Sequence, residues 1–485
     1  MGYQRYRWMV ALFIFHLVTI STWNNISIAQ EPIPLPRTAE ALRVRGGSTT
    51  TFLDVADPRV PIDNTESGVS YVCYQGSSVP NGLGGMSQVK IGYDAGFVLA
   101  SEKQLDLKEE ETPFLIRVNG WAQFRHLAFE SEGANPDQNQ FQLTRARLVF
   151  SGNVFTPDLD YFVQLDGRSS NGDDARFLDY FMTYDFGHHS LGYEKRILGV
   201  KAGKYKIPFS LARYISGRQL EFSDRSMASI YFDANRSLAC GLYGTLHGLV
   251  IPWQWETAIL NGLDTGTVET GSSGGLDDNF AYAARLMAFP LGDWGTSELA
   301  DFEWHDELAT RIGAAWADSI INRSGLNEFD SIRVVDTGQE LSSILPLGVD
   351  QYTVNLFSIN HSCKWRGWSQ TLEYYFRYIN DFEGAAIPNL FDHGFWFQLG
   401  KFVLPEKLEL LARWSRVEGN SGTLGVANES SEEIAGGFAW YFHKQNAKLT
   451  SDVTYLNGAP INSATLGISP GDIGWLFRTQ FQFAF

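Results

Sequence analysis

The chain has 485 residues, of which 14% are aromatic and 19% are charged, and its net charge at pH 7 is −17. Charged residues are scarcer than the roughly 25% of ordinary soluble domains. The acidic balance argues against nucleic acid as a partner, because phosphate backbones are bound by lysine and arginine. Cys73, Cys240 and Cys363 are far apart and the nine histidines show no metal-binding spacing. We therefore expect no disulfide framework, no metal and no cofactor.

Residues 1–29 have the features of a secretory signal peptide. Arg5 and Arg7 supply the positive region, residues 8–20 supply the apolar region, and Ser-Ile-Ala at 27–29 is a small-x-small cleavage site. The apolar run is short for a membrane-spanning helix, which is the alternative, and no other stretch reaches the roughly 18 apolar residues that such a helix needs. We predict an exported protein that can enter a membrane only through strands.

The next stretch, residues 30–89, is irregular and rich in proline and glycine, and we predict a periplasmic or disordered lead-in. Residues 90–485 are predicted to form the main domain. Its first part, Lys90–Leu99, is one strand-like element that stands apart from the series that follows.

From Phe114 onward the chain shows repeated two-residue alternation of polar and apolar side chains, which is typical of strands with two different faces. The sixteen segments are Phe114–Glu130, Gln140–Gly152, Asp160–Arg168, Arg176–Phe186, Arg196–Pro208, Leu238–Leu246, Trp253–Leu260, Phe280–Phe289, Leu308–Ala317, Tyr352–Ser362, Ser369–Ile379, Gly394–Val403, Leu408–Val417, Ile434–Phe442, Ala447–Leu456 and Trp475–Phe485. Bacterial single-chain barrels use even strand numbers and alternate short turns with long loops. The pattern predicts an all-β, transmembrane, antiparallel β-barrel of about 16 strands.

The last segment has the clearest alternation. One face carries Trp475, Phe477, Phe481, Phe483 and Phe485, and the other face is largely polar. In a bilayer the final strand must pair with the first, because an open edge leaves backbone groups without hydrogen bonds. An edge strand of a soluble sandwich is the alternative for this segment alone.

A long stretch, Phe209–Arg236, interrupts the alternation and is rich in serine and arginine. Loops of this length are usually functional or disordered, and we predict that this one folds inward and narrows the lumen. Cations on the strands before it and within it are the candidate pore-lining, anion-binding residues: Arg145, Arg147, Lys204, Lys206, Arg213, Arg218, Arg225 and Arg236. The local field at a constriction governs ion selectivity even in an acidic protein. The alternative is that these cations are solvated or paired with nearby acids: Asp166, Asp179, Glu221 and Asp224.

An ordered series of motifs between Gln142 and Gly244 resembles the phosphate-selective porin O and P family of Gram-negative outer membranes. The motifs are Leu143–Gly152, Asp160–Tyr161, Gly203–Ser210, Phe222–Ser226, Arg236 and Gly241–Gly244. The resemblance implies a sixteen-stranded, usually trimeric barrel with an inward-folded loop and a basic lumen that guides anions. Arg145, Arg147, Lys204, Arg225 and Arg236 stand at matching basic positions. Beyond this stretch no dense run of lumen arginines is evident in the sequence.

We therefore predict an outer-membrane porin, embedded in outer-membrane lipid as a homotrimer, through which small solutes diffuse, anions such as phosphate in particular, without catalysis. One alternative is a barrel enzyme acting on lipid or glycan, for which the sequence offers no nucleophile or carboxylate motif. The other is a secreted carbohydrate-binding β-protein whose tryptophans stack on sugars. The acidic cluster at Asp301, Glu303, Asp306 and Glu307 is predicted to be a solvated loop, with Ca²⁺ binding as the alternative.

Overall fold

The computed structural model describes residues 89–93, 97–101, 114–133, 135–167, 175–232, 234–246, 251–263, 277–324, 326–334, 339–419, 430–458, 468 and 471–485. The predicted signal peptide and all of the predicted lead-in but Val89 lie outside these residues and stay predictions.

The described residues form eighteen strands and five short helices. The strands are β1 Val89–Tyr93, β2 Phe97–Ser101, β3 Leu115–Ser131, β4 Gln138–Asn153, β5 Leu159–Asp166, β6 Arg176–Tyr184, β7 Gly199–Lys206, β8 Arg236–Leu246, β9 Trp253–Leu260, β10 Ala281–Leu291, β11 Ala309–Asn322, β12 Gln351–Trp365, β13 Trp368–Glu383, β14 Leu390–Leu404, β15 Leu408–Glu418, β16 Ser430–His443, β17 Ala447–Asn457 and β18 Ile473–Ala484. The helices are α1 Phe186–Leu191, α2 Leu211–Tyr214, α3 Met227–Tyr231, α4 Leu326–Phe329 and α5 Leu341–Ile344. None of these helices is long and apolar enough to cross a membrane.

Strands β3 to β18 form a closed antiparallel barrel. Each strand pairs with the next one along the chain, and β18 pairs back onto β3, with Gly474 opposite Ser131 and Ala484 opposite Trp121. The barrel therefore has sixteen strands, as the alternation predicted. Closure gives every strand two neighbours, so the backbone groups of the wall are paired without an exposed edge.

The predicted single element at Lys90–Leu99 is wrong, because the structure has two strands there. β1 and β2 pair with each other as a hairpin, and β2 also pairs with Leu115–Val118 of β3. β18 occupies the same side of β3 from Trp121 onward. The hairpin thus pairs with the part of β3 that β18 does not reach, and it lies outside the sixteen-stranded series.

The final strand shows how the two faces of the wall differ. Phe477, Phe481 and Phe483 are between 37% and 50% exposed on the outer face. Arg478 and Gln482 point to the inside and are at most 2% exposed. Exposed apolar side chains recur on the outer face of most strands. A closed barrel with an apolar outside and a polar inside suits a bilayer.

The connections at the two ends of the barrel differ in length. We call the end that holds Phe485 the turn end, and three of its connections are the short turns 366–367, 405–407 and 444–446. The opposite end, called the loop end, carries longer connections such as 323–350. This alternation of short turns with long loops matches the prediction.

Residues 207–235, which we call the inserted loop, connect β7 to β8 from the loop end and fold into the barrel. Phe209, Phe222 and Phe232 of this loop are at most 2% exposed. Phe232 stacks on Tyr375 of β13, with 5.2 Å between ring centroids. The predicted inward-folding loop is therefore present, and its aromatic side chains pack inside the wall.

Candidate functional site

The inserted loop begins where Pro208 follows the last residues of β7, since proline cannot continue a strand ladder. Two serines then start its short helices. The Ser210 hydroxyl accepts a hydrogen bond from the Arg213 amide in α2, and Ser226 does the same for Ser229 in α3. Serine is a preferred residue at this position because its hydroxyl satisfies an amide without a partner inside the helix.

Side chains of the barrel wall satisfy the remaining amides of these helices. The Glu373 carboxylate on β13 accepts hydrogen bonds from the amides of Leu211 at 2.7 Å and Ala212 at 2.9 Å. On α3, Glu433 of β16 accepts from the Met227 amide. The wall and the loop therefore fix each other, because the first amides of a helix have no partner of their own.

Asp224, in the middle of the inserted loop, is the main ionic contact between the loop and β3 and β4. Its carboxylate oxygens lie 3.1 Å from Arg125 and 3.0 Å from Arg145. Burial raises the pKa of this carboxyl, but Arg145, Arg125 and Arg478 outweigh burial and hold the pKa well below its ordinary value. Asp224 therefore stays ionised and binds the loop to the wall.

Two further ion pairs line the wall beyond Asp224. Arg236 on β8 contacts Asp179 on β6 with both carboxylate oxygens, at 2.8 and 3.0 Å. Arg147 on β4 lies 3.7 Å from Asp166 on β5 and stacks over the Trp121 ring at 4.9 Å. Each pair joins an inward side chain of one strand to a carboxylate of another.

The inserted loop brings its own cations to these wall cations. Burial and the neighbouring Arg145 lower the pKa of Arg225 to about 9. Burial, Arg225 and Arg236 together lower the pKa of Arg213 well below its ordinary value. These effects require like charges within electrostatic range of one another.

Lys206 joins this group because it pairs in register with Arg236, and its Nζ atom donates to the carbonyl of Tyr214 at 2.9 Å. We call the six residues the basic cluster: Arg145, Arg147, Lys206, Arg213, Arg225 and Arg236. The three carboxylates among them are Asp166, Asp179 and Asp224. Six cations against three carboxylates leave a local excess of positive charge in the narrowed lumen.

For the other two of the eight candidate residues, the described contacts lie outside this cluster. Lys204 pairs in register with Tyr180 and Leu238, and it is 9% exposed. Arg218 lies at the β17–β18 wall, where its carbonyl accepts hydrogen bonds from other side chains. The structure thus brings six of the eight together.

Among the described contacts, the ion-paired alternative applies to Arg145, Arg147 and Arg236. Each faces one of the acids named from the sequence, whereas the fourth such acid, Glu221, contacts Ser369 and Gln398 instead. Ion pairing and clustering of cations coexist here, because the three ion pairs lie beside further cations and the cations outnumber the carboxylates.

Sequence reasoning missed a second group nearer the turn end. Lys201 of β7 lies 2.9 Å from Glu256 of β9 and stacks over the Tyr205 ring at 4.2 Å. Arg285 of β10 stacks over the Tyr214 ring at 4.1 Å. The sequence contained a signal for this group, because Lys201 and Tyr205 share a strand parity and therefore point to the same side of β7.

Two small cavities open in this second group. Each has a volume of about 30 Å³, and both are lined by Arg196, Tyr243 and Glu256. About 10–15 Å³ holds one water molecule, so each cavity admits roughly two. The β5–β10 side of the lumen therefore keeps water-sized space lined by charged and aromatic groups.

Beyond residues 142–236 the sequence shows no dense run of lumen arginines, but the structure places single arginines inside the barrel there. Inward arginines recur on β11, β13, β15 and β18, each next to an acid on a neighbouring element. The pairs are Arg311 with Glu298, Arg377 with Asp392, Arg413 with Glu433, and Arg478 with Asp452. Sequence reading cannot find them, because each partner lies on another strand or in a connecting segment.

The predicted solvated acidic loop is wrong for Asp301 and holds for Asp306. The Asp301 carboxylate is 1% exposed and accepts a hydrogen bond from the Gly367 amide at 2.7 Å. Burial raises its pKa, but hydrogen bonds from His305 and Gly367 lower it below its ordinary value. Asp306 has an 87% exposed side chain.

Within the described residues, Asp301, Glu303 and His305 could bring three ligand atoms within 4.8 Å of one another. Their polar atoms already have protein partners: His305 bonds to Asp301, and Glu303 accepts from Thr296 and lies 3.7 Å from Lys364. We read these residues as the anchor of a connecting segment.

Residues 114–279 match the family model described as phosphate-selective porin O and P, which confirms the resemblance drawn from the sequence. With the closed barrel, this match supports an outer-membrane channel for small solutes. No curated protein matches the chain significantly.

Solved structures that are similar to this chain include an anion-selective porin from Comamonas acidovorans, which shares the fold at 10% identity and TM-score 0.51, covering 76% of this chain and 99% of that one. OprB of Pseudomonas putida has 10% identity and TM-score 0.47, covering 79% and 96%. The trimer form of OmpT from Vibrio cholerae has 10% identity and TM-score 0.46, covering 76% and 99%. At these identities the likeness concerns the fold alone.

Proposed function

We propose that this chain, whose residues 114–279 belong to the phosphate-selective porin O and P family, is an outer-membrane porin that favours small anions. The observation that carries the proposal is the basic cluster, in which six cations face three carboxylates where the inserted loop meets the wall. An anion that enters a narrow lumen loses part of its hydration, and fixed cations repay part of that loss.

The charges of the basic cluster suit the passage of anions better than their tight binding. Arg145, Arg147 and Arg236 keep a carboxylate partner, so a passing anion meets partly neutralised guanidinium groups. Conduction requires sites that attract an ion and release it again. Inorganic phosphate, the solute that the family resemblance implies, is the first anion to test.

The decisive experiment is single-channel recording of the purified, refolded protein in a planar bilayer under a KCl gradient. We expect discrete conductance steps and a reversal potential on the anion side, with phosphate reducing the chloride current. A reversal potential on the cation side would contradict the anion preference but would still be consistent with a porin. If the inserted protein forms no channels, the porin function is contradicted and a barrel enzyme becomes the leading hypothesis.

The homotrimer and the cleaved signal peptide belong to the same proposal. Residues 1–29 are proposed to be removed on export. Light scattering of the detergent-solubilised protein gives the oligomeric mass, and a single-subunit mass would contradict the trimer. N-terminal sequencing of protein from outer-membrane fractions gives the cleavage site, which we expect before Gln30.

A further inference from the structure

A second segment enters the barrel from the turn end. Residues 292–308, which we call the turn-end segment, connect β10 to β11 and are much longer than the neighbouring turns. Leu299, Ala300 and Phe302 of this segment are at most 5% exposed. A connection that lay on the surface would leave these apolar side chains in water.

The turn-end segment is held to the wall by buried charges. Glu298 lies 2.7 Å from Arg311 of β11, whose side chain is 1% exposed. Lys364 of β12, which is fully buried, donates to the carbonyl of Trp294 at 3.0 Å. Removing one partner of such a pair leaves an uncompensated buried charge, so the segment is fixed in place.

Its inner side meets the inserted loop, so that two connections from opposite ends touch inside the barrel. The Glu298 amide donates to the Gln219 side chain at 2.9 Å. Phe302 packs in one apolar cluster with Phe222 of the inserted loop, and Leu299 packs with Leu220. A cavity of only about 20 Å³, which Leu299 also lines, lies in this region between the inserted loop and β14–β15.

The two sides of the lumen differ in consequence. On the β12–β18 side, Glu373, Glu409 and Gln482 are buried completely. On the β4–β10 side, Lys201 and Glu256 are 6% exposed, whereas the side chains of Arg147 and Arg176 are 13% and 25% exposed. The two cavities beside Glu256 lie on that same side.

We propose that the inserted loop and the turn-end segment together seal the β11–β18 side of the lumen, so that solutes pass only along the β4–β10 side. The path begins at the basic cluster and leaves past Lys201, Glu256 and Arg285. The proposal rests on the proposed channel function, and it makes the turn-end segment a second element that sets the width and charge of the path.

Two threonines give a matched test. Thr183 of β6 lines a cavity on the conducting side. Thr450 of β17 is 1% exposed on the sealed side, and its hydroxyl has no hydrogen-bond partner, so its replacement loses no bond. Thr183→Cys and Thr450→Cys are each made with the three native cysteines replaced by alanine, and each variant is recorded before and after a sulfonate-bearing methanethiosulfonate reagent. Mass spectrometry measures labelling.

We expect labelled Thr183→Cys to lose at least half of its conductance and to shift its reversal potential toward cations. Thr450→Cys should resist labelling or keep its conductance when labelled. Loss of conductance on labelling at position 450, or labelled Thr183→Cys with unchanged conductance, would overturn the path.

A second variant replaces residues 294–306 by two glycines, with circular dichroism and retention of the compact form on unheated gels as the folding check. We expect a larger conductance, because the sealed side then opens toward the turn end. An unchanged conductance in the folded variant would overturn the seal. Wild-type protein without channels would refute the proposed function, whereas wild-type channels with the reverse cysteine pattern would refute only the path.

Discussion

The guanidinium group of Arg145 on β4 lies 3.0 Å from the Asp224 carboxylate of the inserted loop. Arg145 has the strand parity that faces the lumen, while Asp224 arrives from a loop that is 79 residues away in sequence. The same contact therefore positions the loop and reduces the positive charge at the constriction. We expect a substitution at this contact to change the anchoring of the loop and the ion selectivity of the channel together.

Asp224→Asn should make the channel more anion-selective and the protein less stable. The substitution removes one of three carboxylates from the basic cluster, and breaking a buried pair costs about 3–5 kcal/mol. The reversal potential under a KCl gradient and the temperature of thermal unfolding measure the two effects. Asp306→Asn, at an 87% exposed side chain, is the control and should change neither. An unchanged reversal potential in Asp224→Asn would count against the cluster.

Arg236→Gln should reduce the anion preference more than the double variant Arg236→Gln/Asp179→Asn does. The single change leaves Asp179 as an uncompensated carboxylate, whereas the double change removes one charge of each sign. A unit charge about 4 Å from an ion is worth roughly 1 kcal/mol in water, or about fivefold in the partitioning of each ion, with opposite signs for chloride and potassium. Equal chloride-to-potassium permeability ratios in both variants would show that the Arg236–Asp179 pair lies outside the conduction path.

The buried Glu221 should give the protein a stability component that falls with rising pH. Burial raises the pKa of Glu221, although hydrogen bonds from Glu409, Ser369 and Gln398 and the charge of Lys448 oppose this. Because the pKa is higher in the folded protein than in the unfolded chain, the folded state binds the extra proton. The stabilisation is complete below the ordinary glutamate pKa and is lost as the pH rises through the raised value.

The measurement is the unfolding temperature of wild type and Glu221→Gln over the pH range from 4 to about 9. Other carboxylates contribute their own pH dependence to both proteins, so the difference between the two curves isolates Glu221 together with its hydrogen-bonded neighbour Glu409. We expect wild type to lose stability relative to Glu221→Gln as the pH rises. Parallel curves would show that Glu221 does not titrate in this range.

Gly120→Val should impair closure of the barrel, and Phe485→Ala should restore part of it. The amide of Phe485 donates to the Gly120 carbonyl at 2.9 Å. A Cβ atom at Gly120 would lie 2.8 Å from Cζ of the Phe485 ring and 3.0 Å from the backbone oxygen of Arg147. The aromatic contact can yield when the ring is removed, whereas the backbone contact cannot.

The yield of refolded, compact barrel in detergent measures this effect. We expect a severalfold loss for Gly120→Val, partial recovery in the double variant and little change for Phe485→Ala alone. Recovery to the wild-type yield would mean that the Arg147 backbone adapts. No recovery would mean that the ring is not the obstacle.

The pattern of side chains along the chain is enough to specify the wall of the barrel. Alternation in segments such as Trp475–Phe485 decides which side chains face lipid and which face the lumen, because neighbouring residues of a strand point to opposite sides. It predicted sixteen strands and the inward parity of Arg145 and Arg147, and the structure agrees. The same local rule missed the division of Lys90–Leu99 into two strands, since alternation within a short run does not show where one strand ends and the next begins.

What fills the lumen follows from contacts between elements that are far apart in the chain. Such contacts give Arg311 and Arg478 their partners and hold residues 292–308 inside the barrel. Alternation describes one strand at a time and carries no information on how a loop without a period folds. Burial inside the barrel depends on which connecting segments enter it from the two ends, and these segments find their contacts only inside a closed wall.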